Sequence, residues 1–106
     1  MKVYISGKVS GLPPADTFVK FGKAEFWLRE QGHEPVNPLD FCSPDWDWPR
    51  CMRECIAEML KCDAICLLND WHHSKGAQLE YHVAQMLGLR VYVYRPCRRP
   101  GNIDKQ

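Results

Sequence analysis

Residues 63–95 read DAICLLNDWHHSKGAQLEYHVAQMLGLRVYVYR and contain one complete β-α-β unit. The run DAICLLN is apolar and continuous, which is typical of a strand that is buried on both faces of a sheet. Ser74 is a good N-cap for the helix that follows, and Gly88 marks the end of that helix. The run RVYVYR then predicts a second strand. Because two strands joined through a helix lie parallel, this stretch predicts a parallel sheet.

The sequence before residue 63 continues the alternation of strands and helices. The expected elements are a strand over 2–6 (KVYIS), a helix over about 14–31, a brief strand within 33–38 (HEPVNP) and a helix from 49 to about 61. The whole order is β-α-β-α-β-α-β. It predicts an α/β fold, with a small doubly wound parallel sheet of about four to five strands, helices on both faces and a flavodoxin-like strand order.

The helical periodicity also predicts which side chains pack against this sheet. In the first helix the expected buried residues are Phe18, Phe21, Ala24 and Leu28. In the second helix they are Met52, Ile56, Met59 and Leu60. In the last helix the apolar half of the helical wheel holds Gly76, Ala77, Leu79, Val83, Ala84, Met86 and Leu87.

Length and charge are those of a small globular protein. The 106 residues suit one core, so we expect one domain over 1–95 and a basic C-terminal tail over 96–106. The net charge of +1 argues neither for nor against binding to a polyanion such as a nucleic acid. The basic tail is more typical of a solvated chain end than of a nucleic-acid arm. No apolar run approaches the roughly 20 residues of a membrane span, and the first residues do not resemble a signal peptide. We therefore expect a cytoplasmic protein with neither a membrane nor a nucleic-acid partner.

Six cysteines are present, and we expect them to be reduced thiols that pack as apolar side chains. A zinc site typically contains a close Cys-x-x-Cys pair, which this sequence lacks. His72 and His73 adjoin in a loop, and His82 falls on the polar face of its helix. The sequence therefore predicts no metal site and no cofactor.

Glu80 occupies a position in the last helix where an apolar residue is expected. On a helical wheel it falls among Gly76, Val83, Ala84 and Leu87, near the middle of the apolar stripe. Such a carboxylate can pair with an arginine, reach solvent at the edge of the helix, or face a cleft. Only the last of these gives Glu80 a function.

A cleft is expected beyond the carboxyl ends of the strands, where the strand order of an open parallel sheet reverses. Three loops leave those ends, over residues 6–14, 38–48 and 69–74. In the first loop, Ser6, Gly7 and Lys8 could bring backbone N–H groups and a positive charge to an anion. A plain tight turn explains these residues equally well. In the last helix, we expect Gly76 to leave open space above Glu80.

Four motifs together resemble those of a family of short phage and bacterial proteins. They are YISG at 4–7, NP at 37–38, CDAICLL at 62–68 and W..S.GA..E...A..LG at 71–88. The last motif is the most specific, because its spacing of Trp, Ser, Gly, Ala and Glu is improbable by chance. The family is assigned to the nucleoside 2-deoxyribosyltransferase-like superfamily, and the resemblance covers residues 2 to about 94.

The resemblance implies that the ligand is a small nucleoside or nucleotide. In the transferases and the deoxynucleoside 5′-monophosphate N-glycosidases of this superfamily, a Glu on this helix attacks C1′ of the 2-deoxyribosyl group and expels the base. Glu80 matches that nucleophile. The residues implied to bind substrate are Tyr4, Ser6, Gly7, Lys8, Ser74 and Gly76. Relatives form dimers or larger assemblies, which implies a homodimer or larger here.

The sequence departs from the family pattern at the residue that gives a proton to the departing base. The relatives use an Asp on the helix before the third strand, and CDAI aligns that Asp with Cys55. A thiol, with a reference pKa of about 8.5, is a poor replacement for a carboxylic acid. Asp47 or Asp70, in loops beside the expected cleft, are the alternative donors.

Three functions therefore stay open. The first is a nucleoside or nucleotide N-glycosidase or 2-deoxyribosyltransferase, with Glu80 as its nucleophile. The second is a non-catalytic nucleotide-binding or sensing module, which Cys55 favours. The third is an interaction domain that uses Trp46 and Trp48 as contacts, since tryptophans are frequent at interfaces.

Overall fold

The computed structural model describes residues 1–96, so the predicted tail lies outside the described residues except for Pro96. Within this part, the chain forms four strands and three α-helices. In chain order they are β1 (Lys2–Ser6), α1 (Pro14–Glu30), β2 (Glu34–Val36), α2 (Trp48–Met59), β3 (Ala64–Leu67), α3 (Lys75–Met86) and β4 (Arg90–Val93). Short 3₁₀ turns at Pro38–Asp40 and Trp71–His73 follow β2 and β3.

All strand pairs are parallel, and the sheet order is β2-β1-β3-β4. The predicted α/β class, the doubly wound sheet and the flavodoxin-like order are confirmed. The chain runs from β1 outward to β2 and then returns to the other side of β1 to form β3. The strand order therefore reverses between β1 and β3, which places the expected crevice beside the carboxyl end of β1.

The sheet separates two cores. On one face, Phe21, Ala24 and Leu28 of α1 pack against Val3 and Ile5 of β1. On the opposite face, α2 and α3 cover a second cluster that includes Tyr4, Cys55, Met59, Ile65 and Ala84. Side chains of a strand alternate between the two faces, so Tyr4 and Ser6 lie on the face that α2 and α3 cover.

Some of the predicted core residues are exposed instead. Phe18 is 72% exposed, because the inward row of α1 runs through Thr17 and Phe21 and leaves Phe18 on the outer face. Leu60 is exposed because α2 ends one residue earlier. Three residues in or just after α3 were also predicted to be buried and are exposed: Leu79, Met86 and Leu87. The strands are only three to five residues long, so the sheet covers a narrower part of each helix than the periodicity predicts.

Among the described residues, no helix combines the length and the apolar character needed to cross a membrane.

Candidate active site

A cavity of about 470 Å³ opens at the carboxyl ends of the strands. Its walls come from the loop after β1, the 3₁₀ turn after β2, the helix α2 and the first turns of α3. The lining residues that matter for its chemistry are Tyr4, Lys8, Ser10, Trp48, Cys55, His73, Ser74 and Glu80. This cavity lies at the predicted position of the crevice.

Glu80 lies in this cavity with only 5% of its surface exposed. The Tyr4 hydroxyl donates a hydrogen bond to Oε2 of Glu80 at 2.8 Å, and the Ser6 hydroxyl donates one to Oε1 at 2.6 Å. Tyr4 and Ser6 are two residues apart on β1, so the pleat of the strand directs both hydroxyls to the same face. One carboxylate thus receives a donor on each oxygen, which fixes its orientation.

No salt bridge within residues 1–96 includes Glu80. Burial raises the pKa of Glu80 from 4.5 to about 7, and the hydrogen bonds from Ser6 and Tyr4 offset part of this effect. The pKa of Tyr4 is raised well above 10, first by burial and then by the charge of Glu80. Tyr4 is therefore a hydrogen-bond donor at neutral pH, and Glu80 changes between its neutral and charged forms close to neutrality.

The loop after β1 is held closely against the end of β3. A Cβ atom on Gly7 would lie 2.8 Å from Cδ1 and 2.9 Å from Cβ of Leu68, so this position has room only for glycine. The backbone N–H of Lys8 donates to Asp70 at 3.0 Å, and the Lys8 ammonium donates to the carbonyl of His73 at 3.1 Å. These contacts join the first and third crevice loops, and they place Lys8 at the cavity wall.

The start of α3 combines a helix cap with a close approach of α2. Ser74 caps the helix as predicted, since its Oγ accepts a hydrogen bond from the N–H of Ala77 at 3.0 Å. Gly76 was expected to leave open space above Glu80, and the cavity is lined by both Glu80 and Gly76. A Cβ atom on Gly76 would lie 3.0 Å from the sulfur of Met52 and 3.8 Å from Nε1 of Trp48, so Gly76 allows α2 to approach α3 closely.

The structure does not bring the two predicted proton donors into the cavity. Asp70 is paired with the Lys20 ammonium at 2.5 Å, and hydrogen bonds from Lys20 and Lys8 lower its pKa, although partial burial opposes them. Asp47 is exposed and caps α2, where it accepts from the N–H of Arg50. Both carboxylates have other partners, and neither lines the cavity.

Cys55, the residue aligned with the family's acid, does line the cavity and is buried. It belongs to a group of three thiols with Cys42 and Cys51, which sequence reasoning missed. Burial raises the pKa of the Cys55 thiol far above its usual range and that of Cys42 to about 12. The only predictive signal was the i,i+4 spacing of Cys51 and Cys55, which puts both on one helical face.

The two tryptophans of the interaction hypothesis lie in different surroundings. Trp48 lines the cavity, and the ammonium of Lys75 lies 4.6 Å from the centre of its ring system. Trp46 is not part of the cavity wall, and its ring lies beneath the guanidinium of Arg50 at 4.4 Å. Trp48 alone is positioned to contact a ligand beside Glu80.

The fold and the cavity define a small doubly wound α/β domain with a buried carboxylate at its switch point. The chain belongs to the family described as Domain of unknown function (DUF4406), whose model matches residues 1–93. No curated protein matches it significantly.

Two solved structures have a similar fold. The 2-deoxyribosyltransferase of the psychrotolerant bacterium Bacillus psychrosaccharolyticus is 18% identical, with a TM-score of 0.63 over 88% of this chain and 71% of that protein. The 2-deoxyribosyltransferase of Leishmania mexicana is also 18% identical, with a TM-score of 0.63 over 88% of this chain and 63% of that protein. These likenesses are likenesses of the fold.

Proposed function

We propose that this protein is a nucleoside or nucleotide N-glycosidase, or a 2-deoxyribosyltransferase-like enzyme, in which Glu80 is the nucleophile. The observation that carries the proposal is the buried Glu80 carboxylate, which has two hydroxyl donors, no cation partner among the described residues and a cavity in front of it. Burying a carboxylate in this way costs stability, and carboxylates with perturbed pKa values are concentrated at functional sites. The similarity of the fold to two 2-deoxyribosyltransferases supports the same chemistry.

The proposed reaction is a double displacement at C1′ of the sugar. The charged Glu80 forms a bond from one carboxylate oxygen to C1′, and the bond from C1′ to the base nitrogen breaks with both electrons leaving on the base. In the second step, water or an incoming base attacks C1′ and releases Glu80. Tyr4 and Ser6 hold the carboxylate in one orientation, so little freedom is lost when the substrate binds.

The surrounding residues suit a sugar or a nucleotide. Lys8 and Ser10 line the side of the cavity formed by the first loop and could bind a 5′-phosphate or a sugar hydroxyl. Ser74 lies at the entrance to α3, where its hydroxyl already accepts from Ala77 and retains a proton to donate. Trp48 offers an aromatic surface on which a base could stack.

Proton donation to the departing base is the weak step of the proposed mechanism. Glu80 is the only carboxylic acid among the cavity-lining residues, and it serves as nucleophile. Cys55 has a raised pKa and is a poor acid near neutrality. We therefore expect slow turnover. This same observation favours the second candidate function, a module that binds or senses a nucleotide without cleaving it.

The test is base release from a panel of 2′-deoxynucleosides and their 5′-monophosphates. The expected result is slow release by the wild type and none by Glu80→Gln, because the amide keeps the shape of the side chain and loses the nucleophile. Glu58→Gln is the control, since Glu58 lies on α2 in an exposed ion pair with Lys61.

Nucleotide binding is measured in parallel by the shift in melting temperature. Binding without release in every variant would support the binding module, and release that persists in Glu80→Gln would exclude Glu80 as nucleophile.

A further inference from the structure

Three thiols converge at the back of the cavity, between α2 and the loop that precedes it. The sulfur atoms of Cys42, Cys51 and Cys55 all lie within 4.8 Å of one another. The separations are 2.7 Å between Cys42 and Cys51, 3.3 Å between Cys42 and Cys55, and 3.9 Å between Cys51 and Cys55. All three cysteines are unpaired thiols, and all three contribute to the cavity wall.

The chain supports these sulfurs from two directions. Cys51 and Cys55 are one turn apart on α2, so the helix holds their side chains side by side. Cys42 comes from the loop after the 3₁₀ turn, and its N–H donates to the carbonyl of Pro38 at 3.1 Å, which anchors that loop. The helix therefore fixes the separation of Cys51 and Cys55, whereas Cys42, on a loop, can adjust its position.

The spacing is close to that of a metal thiolate site. A Zn–S bond of about 2.3 Å places the sulfurs of a tetrahedral site about 3.8 Å apart. The helix pair already has this separation, at 3.9 Å. Only Cys42, on the loop, has to move outward to reach the same distance from both partners. A disulfide has an S–S distance of about 2.05 Å, and none of the three separations is that short.

We propose that Cys42, Cys51 and Cys55 form a binding site for a thiophilic divalent cation of the Zn²⁺ class. The three sulfurs supply one face of a tetrahedron, and the fourth position opens into the cavity that contains Glu80. Three-ligand sites of this kind retain a place for water or for an atom of a bound molecule. When the ion binds, each thiol loses its proton to solvent and becomes a thiolate ligand.

The test uses Co²⁺ as the probe, added to the reduced, folded protein in the absence of nucleotide. Four-coordinate Co²⁺ with thiolate ligands gives intense visible d–d bands and a sulfur-to-cobalt charge-transfer band. We expect both bands to saturate at one ion per chain and to disappear when Zn²⁺ is added, since Zn²⁺ binds such sites more tightly than Co²⁺. Because the readout is the metal spectrum, it does not depend on base release.

Cysteine variants locate the site. Cys42→Ser, Cys51→Ser and Cys55→Ser should each lower the affinity by at least about tenfold and weaken the charge-transfer band, because each removes one thiolate ligand. Cys62→Ser is the control: Cys62 is a buried cysteine just after α2 whose sulfur contacts the carbonyl of Glu58 instead of the other thiols. Cys97→Ser checks the cysteine outside the described residues.

Three results would overturn the proposal. One is the absence of thiolate bands at Co²⁺ concentrations well above that of a protein whose thiols titrate as reduced. Another is equal affinity in the wild type and in Cys42→Ser, with both proteins shown to be folded by circular dichroism. A loss of binding in Cys97→Ser or Cys62→Ser alone would place the ion elsewhere and count equally against this site.

Discussion

At the scale of single residues, burial removes the Glu80 carboxylate from water, and its hydrogen bonds offset only part of the free-energy cost. Its two hydrogen bonds come from neutral hydroxyls, and neither Tyr4 nor Ser6 can balance a charge. Burial therefore dominates and raises the pKa of Glu80 to about 7. At pH 8 the folded protein holds a charged carboxylate in the protein interior, while the unfolded chain holds the same charge in water.

The stability of the protein should therefore depend on the ionisation of Glu80. Between the unfolded pKa of 4.5 and the folded pKa of about 7, the folded state binds more protons, so the free energy of unfolding falls as pH rises. At a pH well above 7 the full loss is present, on the order of 3 kcal/mol. Glu80→Gln should remove this loss. Urea unfolding in metal-free buffer measures the difference between variant and wild type at pH 5 and at pH 8.

Other titrating groups cancel in that comparison, because both proteins contain them. The variant should gain about 2–3 kcal/mol relative to the wild type on going from pH 5 to pH 8. An unchanged difference between the two pH values would show that Glu80 does not titrate in this range.

Cys55 is the second residue whose identity decides the chemistry. Cys55→Asp should raise base release, because general acid catalysis commonly contributes about 10²- to 10⁴-fold in rate. Burial beside Tyr4 would raise the pKa of that new carboxyl and keep it partly protonated near neutrality. Cys55→Asn is the matched control, with the same shape and no acidic proton. Equal rates in the two variants would contradict a general-acid role for this position.

At the scale of elements, the start of α3 positions the whole site. Ser74 satisfies the N–H of Ala77, and Gly76 lets Met52 and Trp48 of α2 pack against this first turn. Glu80 lies six residues after the cap on the same helix. Any fraying of this turn would therefore move the carboxylate relative to Tyr4 and Ser6, whose positions are set by β1 and not by α3.

The hydrogen bond of the Ser74 cap leads to a prediction about the stability of the protein. Ser74→Ala should lower the free energy of unfolding by about 1 kcal/mol, because one N–H of the first turn loses its partner. Ser74→Asp should restore most of that stability, since aspartate is an equally good cap. Denaturant unfolding of the three proteins gives the comparison, and equal stability of Ser74→Ala and wild type would exclude the capping role.

At the scale of the whole molecule, the outer face of α1 exposes large apolar side chains. Phe18 is 72%, Phe26 65% and Val19 51% exposed, and a shallow groove beside them also includes Tyr94 and Pro96. Contiguous apolar surface of this kind is uncommon on monomeric proteins. We propose that a second copy of the chain covers this face, in line with the homodimer implied by the family resemblance.

Light scattering at micromolar concentration tests this proposal. The wild type should have at least twice the 12.3 kDa mass of one chain, and the double variant Phe18→Ser, Phe26→Ser should have the mass of a monomer. Met86→Ser is the control, because Met86 is equally exposed but lies on α3, away from this face. A wild-type protein of 12.3 kDa would refute self-association.

The sequence by itself determined the fold class, because alternating strand and helix patterns leave a parallel sheet as the simple way to bury every apolar run. It also singled out Glu80, since one carboxylate within an apolar stripe is visible from helical periodicity alone. The cap at Ser74 was equally local, as it depends on neighbours three residues apart. Features of this kind follow from spacing along one element.

The tertiary structure decided which of the site residues implied by the resemblance contact that carboxylate. Tyr4 and Ser6 contact Glu80 across more than 70 residues of sequence, and Cys42 meets Cys51 and Cys55 only because a loop folds against α2. Asp70 was an available acid in the sequence, and its pairing with Lys20 removed it from the cavity. The packing of α1 on the sheet likewise left Phe18 exposed. Contacts between elements depend on how closely and at what angle the helices pack on the sheet. The hydrophobic periodicity of a single helix or strand does not determine that packing.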